Sequence, residues 1–290
     1  MSEPAAPAPA NPNADQTVYW NEQAGPTWVA MQDILDWQLA PLSRAGAEAL
    51  GPREGEHILD VGCGCGASCL ELAWAIEPEG SVTGVDISAP MLAVARERAD
   101  KAGYPQVRFI QADAQTFAFE PGAFDGVFSR FGVMFFEDPA AAFANIRKAL
   151  RPGGRLAFVC WQAAADNPLM TLPMQAAMAH FDAPPAPPAD PHAPGPFAFA
   201  DGERVRRILQ EAGFTDIDVT PHRQAIGART LDDAVRTALS IGPLGRMLGE
   251  FPGKREAAAG SVREALAAYA NDKGVLLPSA TWIVTGRSPG

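Results

Sequence analysis

The sequence is short of basic residues: 23 Lys and Arg stand against 34 Asp and Glu, leaving a formal charge of −11. That balance lacks the electrostatic footprint of a nucleic-acid binder, and no nucleic acid is expected as a partner. No apolar run approaches the roughly 20 residues needed to cross a bilayer, so no membrane insertion is expected. Residues Met1 to Asn13 show neither a basic segment nor an apolar one of the secretory kind, and a cytoplasmic location is expected. Cysteine and histidine are scarce, four of each. Cys63, Cys65, Cys69 and Cys160 fall inside apparent core elements, which reads as buried free thiols rather than a disulfide framework. The string Cys63, Cys65, Cys69 has no histidine or fourth cysteine nearby to complete a metal set, so no metal is expected. The histidines (57, 180, 192, 222) include no pair at ligand or triad spacing.

What is present suits a folded protein. A hydrophobic fraction of 47 % over 290 residues supplies a sizeable core and excludes global disorder. Residues 1–16 are Ala/Pro-rich and read as a disordered tail. From Thr27 to Leu50 apolar residues recur at helical spacing, and Pro41 is expected to break or kink this segment into two helices.

The period then changes. His57–Val61, Ser81–Asp86, Val107–Gln111, Gly126–Arg130 and Leu156–Trp161 read as strands, with helices between most of them. Asp138-Pro139 starts one helix, and Arg151-Pro-Gly-Gly154 reads as a turn. Strand and helix in alternation predict an α/β fold: a Rossmann-like, seven-stranded, mostly parallel sheet with helices on both faces. Beyond Trp161 come a Met-rich helix (163–182), a loop at 183–196, a helix to Ala212, and a strand from Thr215 to Thr220. Two further helical stretches precede a final strand, Ala280–Thr285. The chain is thus expected to form one domain over 17–290. N-terminal helices (17–52) would precede a ligand-binding core (53–162), and the insertions at 163–200 and 227–273 would form a lid.

The most informative stretch is Leu59-Asp-Val-Gly-Cys-Gly-Cys-Gly66. A strand ends in Asp60, glycine recurs at every second position, and a helix begins. Such glycines let backbone approach a ligand, and the helix start offers unpaired N–H groups. The spacing is GxGxG, not the GxGxxG of a dinucleotide site. Asp86 ends the next strand, where an acid can accept bonds from both ribose hydroxyls. Asp113, in Gln111-Ala-Asp-Ala114 at the end of the third strand, could accept from an adenine amine.

In this order, these elements resemble the class I S-adenosylmethionine-dependent methyltransferases. The resemblance is good over Trp20 to Trp161 and loose beyond. Asp86-Ile-Ser-Ala-Pro-Met91 and Ser129-Arg-Phe-Gly-Val-Met-Phe135 look like the small-molecule, quinone-biosynthesis-type branch. The resemblance implies S-adenosylmethionine as cofactor, with Gly62, Gly64 and Gly66 beside its methionine part and Asp60 on its ammonium. It implies Asp86 on the ribose, Ile87 and Met91 against the adenine, Asp113 and Ala114 at the adenine edge, and Ser129 near the methionine end. Tyr19 and Trp20 would correspond to a flap.

The implied reaction is methyl transfer to a small organic acceptor, apolar or aromatic, at oxygen, carbon or nitrogen. Two rivals stand beside it: a nicotinamide-dependent oxidoreductase, and a protein that binds S-adenosylmethionine without catalysis. No catalytic residue is assigned. His180 in the lid is the best candidate base, and Arg130 either pairs with a surface carboxylate or meets an anionic or carbonyl group of substrate. Asp166-Asn167 resembles the metal pair of catechol-type methyltransferases, but the partner acid is replaced by Ser129-Arg130-Phe131. The oligomeric state is not legible.

Overall fold

The computed structural model describes residues 12–182 and 190–290. Helices α1 (Ala14–Val18), α2 (Ala24–Ala30) and α3 (Gln32–Leu50) lead into β1 (His57–Val61), α4 (Ala67–Ile76), β2 (Ser81–Asp86) and α5 (Ala89–Ala102). Then follow β3 (Val107–Gln111), β4 (Phe124–Arg130), α6 (Pro139–Ala149), β5 (Leu150–Trp161), α7 (Pro168–Ala177) and α8 (Gly202–Glu211). The last part comprises β6 (Thr215–Ala228), α9 (Leu231–Ser240), α10 (Gly242–Glu250), α11 (Arg255–Ala267), β7 (Ala270–Asn271) and β8 (Gly274–Arg287).

The sheet runs β3-β2-β1-β4-β5-β8-β6, with the two-residue β7 paired to β8. Strands β1 to β5 are parallel to their neighbours, while β8 is antiparallel to both β5 and β6. This is the expected mostly parallel α/β sheet. The chain builds outward from β1 to β3 and then crosses back to β4. The gap between the carboxyl ends of β1 and β4 is therefore the switch point, where open α/β sheets bind ligands. The parallel strands read as apolar runs because helices cover both faces. Phe128, Phe143, Phe158 and Phe199 are among the largest side chains fully withdrawn from solvent.

Several boundaries depart from expectation. The tail reading of 1–16 falls outside the described residues up to 11, but residues 14–18 form α1, and Asn13 is buried at 4 % exposure. Its amide donates to Asp113 and Gln115 and its carbonyl oxygen accepts from the Glu137 N–H, so long-range bonds order a segment of disordered-looking composition. Pro41 does not split its segment: α3 runs through it, because Leu35, Leu39, Leu42 and Leu50 all bury against the core on one continuous face. Packing outweighs the lost backbone bond.

Arg151-Pro-Gly-Gly154 is not a free turn but lies within β5, which starts at Leu150 and carries an irregular register opposite Phe124 to Gly126. The last two long strands also exceed the sequence reading, at 14 residues each. The pairing of β8 with β5 ends at Trp161 opposite Thr281, and beyond it Val275–Ala280 of β8 pair with β6. A two-stranded arm therefore projects past the carboxyl edge of the sheet. Helices α7, α9, α10 and α11 gather around its outer part in a separate apolar cluster that includes Leu244, Val262, Val275 and Leu277.

Candidate active site

The glycine loop leaves β1 with three residues in the left-handed region: Gly62 at φ +69°, Gly64 at +54° and Gly66 at +81°. A side chain at Gly62 would strike the Gly132 Cα at 2.5 Å, and one at Gly64 would meet the Met91 Cε at 2.8 Å. The loop thus closes on β4 at one side and on α5 at the other, and no larger residue fits. Gly132 follows Phe131, itself at φ +63°, an unusual conformation for an aromatic residue. Its N–H bonds to the Val159 carbonyl at 3.0 Å and its ring stacks on Trp161 at 4.3 Å, which hold the strained backbone in place.

Asp60 is fully buried at the end of β1. Its Oδ2 accepts from the Ser68 hydroxyl at 2.6 Å and the Cys69 thiol at 3.1 Å. Its Oδ1 is buried with no hydrogen-bond partner. Burial pushes its carboxyl up to about 6, against the bonds from Ser68 and Cys69 and the positive charge of Arg130. Such an orphaned acceptor is costly unless a ligand satisfies it, and an ammonium group would do so. Asp86 receives the Gly64 N–H on Oδ2 and the Ser88 N–H on Oδ1, both at 2.8 Å. Burial raises its carboxyl, opposed by those backbone bonds. Each oxygen keeps a further lone pair, as bonding two adjacent hydroxyls requires.

Asp113 accepts from the Gln115 N–H and from Asn13, so this carboxylate at the end of β3 is gripped by the N-terminal segment. Ala114 is buried beside it, and its carbonyl accepts from Asn145. The carbonyl of Ile87 accepts from Asn21, whose Oδ1 accepts the Ala89 N–H, and Ser88 donates to the Trp20 carbonyl. Trp20 packs edge-on to Trp28 at 5.9 Å and to Phe135 at 5.1 Å. The structure thus lays the N-terminal segment across the ends of β2 and β3.

Two readings of individual side chains need correction. Ser129 does not present its hydroxyl outward: it donates to the Val61 carbonyl at 2.7 Å and accepts the Gly132 N–H at 3.2 Å. It clasps the ends of β4 and β1 together. His180 stands just after α7 and bonds to Ser261 of α11 at 2.8 Å, a contact within the helical insertion and not at the strand ends. Arg130 has no hydrogen bond or ion pair among the described residues, so its pairing with a surface carboxylate is not seen. The cysteines are all free and buried, with burial pushing Cys63 up to about 11 and Cys65 up to about 12.

Sequence reasoning missed the roles of Asn13, Asn21 and Asn167. Asn167 donates to the carbonyls of Gln162, Ala163 and Ala280 and accepts the Ala280 N–H, which pins the start of α7 to β5 and β8. Nothing local marks these residues, since each acts on a partner distant in sequence. His222, level with Thr281 and Trp161 across β8, buries an Nε2 without a partner.

A family model described as a methyltransferase domain matches residues 58–154. A demethylmenaquinone methyltransferase of Staphylococcus aureus is 30 % identical over 63 % of this chain and 77 % of its own length. The chain belongs to the class I S-adenosylmethionine-dependent methyltransferases. The O-methyltransferase cnsE of Penicillium expansum is 36 % identical to this methyltransferase over 64 % of the chain, which spans 61 % of that relative's length. Aklanonic acid methyltransferase DauC of a Streptomyces species is 35 % identical over 41 % of the chain and 54 % of its own length. Among solved structures, the [4+2]-cyclase SpnF aligns with a TM-score of 0.55 at 22 % identity, over 86 % of this chain and 81 % of that one. A Haemonchus contortus phosphoethanolamine N-methyltransferase 2 aligns at 0.53 and 22 % identity, over 86 % and 53 %. These two likenesses establish the methyltransferase's fold and no more.

Among the described residues no helix is long and apolar enough to cross a membrane, and no cluster of three or more His, Cys, Asp and Glu could hold a metal.

Proposed function

We propose that the protein transfers a methyl group from S-adenosylmethionine to a small, apolar or aromatic organic acceptor. The unpartnered Asp60 Oδ1, set beside a loop with glycine at three left-handed positions, is the observation that carries the cofactor assignment. Asp60 would hold the ammonium group, Gly62, Gly64 and Gly66 would let the backbone pass close to the methionine part, and Asp86 would hold the ribose. Ile87 and Met91 would flank the adenine, with Asp113 and Ala114 at its edge. Ser129 contributes by fixing the switch point rather than by touching the ligand.

When bound, the cofactor supplies a methyl group already activated by positive sulfur. The protein's task is then alignment and the exclusion of water. The stacked pair Phe131 and Trp161 at the ends of β4 and β5 supports a flat, unsaturated acceptor. The relatives named for O-methylation, for aklanonic acid and for demethylmenaquinone support the same class. We propose α7 and α9 to α11 as the cover over the ends of β4 and β5. They are joined to the N-terminal segment by the Arg246 guanidinium over Tyr19 (5.3 Å), the Arg229 guanidinium over Trp37 (5.7 Å), and a bond from Arg236 to the Ala30 carbonyl.

The test is release of S-adenosylhomocysteine on incubation with S-adenosylmethionine and a panel of phenols, hydroquinones and aliphatic amines. Turnover confined to the phenols and hydroquinones is expected. Tight cofactor binding with no turnover on any acceptor would favour the non-catalytic reading.

A further inference from the structure

Between α3 and α4 lies a groove of about 680 Å³, bounded among others by Asp36, Ala40, Ser43, Trp74, Arg98 and Arg130. Three polar groups on this face of the sheet lack partners. The Ser43 Oγ and the Asp60 Oδ1 are buried without hydrogen bonds. The Arg130 guanidinium has no bond and no carboxylate within ion-pair distance among the described residues. Their placement follows from register. Asp60 of β1 is level with Phe128 of β4, so Arg130, two residues further along β4, projects from the same face just beyond Asp60. Helix α3 lies over that face: a side chain at Gly46 would meet the Phe128 ring at 3.0 Å, and Ser43 is one turn nearer the carboxyl edge.

Asp60 and Arg130 carry opposite charges on neighbouring strands, yet they do not close into an ion pair. An acid with one unpartnered oxygen, beside a free guanidinium and a free hydroxyl that line the groove, matches a ligand that carries an ammonium and a carboxylate on adjacent atoms. We propose that Arg130 and Ser43 bind the carboxylate of the cofactor's amino-acid end while Asp60 binds its ammonium, so that Arg130 is a cofactor-specificity residue and not an acceptor-binding one. The proposal rests on the S-adenosylmethionine reading. A guanidinium suits the task because its planar fork can grip both carboxylate oxygens. The Arg130 charge already favours the ionised Asp60, and a bound zwitterion would add a partner for each of the two groups.

The test compares S-adenosylhomocysteine with its methyl ester and with 5′-methylthioadenosine, which lacks the amino-acid end, by calorimetric titration. On the unaltered protein, the ester is expected to bind at least tenfold more weakly than the free acid. In Arg130→Met, affinity for S-adenosylhomocysteine falls at least tenfold, affinity for 5′-methylthioadenosine stays within twofold, and the ester loses nothing further. Arg130→Lys restores part of the loss. Equal affinity of the unaltered protein for acid and ester overturns the proposal without any variant having to fold. A parallel fall for 5′-methylthioadenosine in Arg130→Met overturns it in favour of a structural role. Unchanged S-adenosylhomocysteine binding with a raised acceptor KM overturns it in favour of an acceptor role. If the unaltered protein binds none of the three nucleosides, the cofactor reading itself falls, and this proposal with it.

Discussion

Asp60 sits where burial and function pull in opposite directions. Burial pushes its carboxyl from the ordinary aspartate range up to about 6, so the fold favours the protonated form. The stabilisation from that proton is complete below about pH 4 and is lost as pH rises through 6. At neutral pH the ionised group costs up to about 3 kcal/mol, two pKa units at 1.36 kcal/mol each. Asp60→Asn removes that cost, and the ligand-free variant should melt at a higher temperature at pH 7.5 while binding S-adenosylhomocysteine at least tenfold more weakly. Differential scanning calorimetry and titration read the two effects, and a variant that melts lower would show that the charge is already compensated. For the unaltered protein, affinity for S-adenosylhomocysteine should be flat above pH 7 and fall as pH drops through 6, since an ammonium needs the ionised partner. Asp60, Asp86 and the glycines could be named as candidates from the sequence because each lies within a few residues of a strand end. Ser43 was not, since nothing in a helical stretch reveals which hydroxyl faces a groove.

Elements show where local rules yield to packing. Pro41 removes a backbone donor inside α3, and the helix continues because its buried leucines hold it in register. Pro41→Ala restores the N–H to the Trp37 carbonyl and should stabilise the protein by about 1 to 2 kcal/mol, measured by urea denaturation. The opposite sign would mean that a bend at Pro41 is needed for the fit of α3 to the sheet. Helix α1 makes the converse case: its composition is poor, and three hydrogen bonds of Asn13 tie it to the β3 and β4 ends. Asn13→Ala leaves the Glu137 N–H without its acceptor and should cost about 1 to 3 kcal/mol in the same assay. Strand starts and helix caps such as Asp138, which accepts the Ala141 N–H, were readable from sequence. The full lengths of β6 and β8 were not, because their outer halves pair with each other rather than with β5 and are covered by helices of the insertion, which bury Val275 and Leu277.

At the scale of the whole molecule, the mostly parallel sheet was legible as a pattern of alternating elements. The contacts between the two ends of the chain were not, since Arg246 and Tyr19 are joined only by the completed fold. The molecule also bears on the choice between metal-dependent and metal-independent transfer. The residue that could suggest a metal pair, Asn167, spends its amide on four backbone groups, and Asp166 faces Arg223 at 3.6 Å. Methyl transfer should therefore survive dialysis against EDTA with less than twofold loss, and activity that returned only on adding Mg²⁺ would contradict this arrangement.

The place of β8 has a consequence for biosynthesis. Among the described residues strand β6 has a single neighbour in the sheet, β8, and β8 is made only after α9 to α11 have been synthesised. Throughout that interval the nascent chain carries a 14-residue strand with both edges bare, while the five parallel strands and their glycine loop are already available to pair. The two halves of the sheet should thus mature in sequence. The parallel half can pair first, whereas β6 must wait for the strand that is threaded last between it and β5.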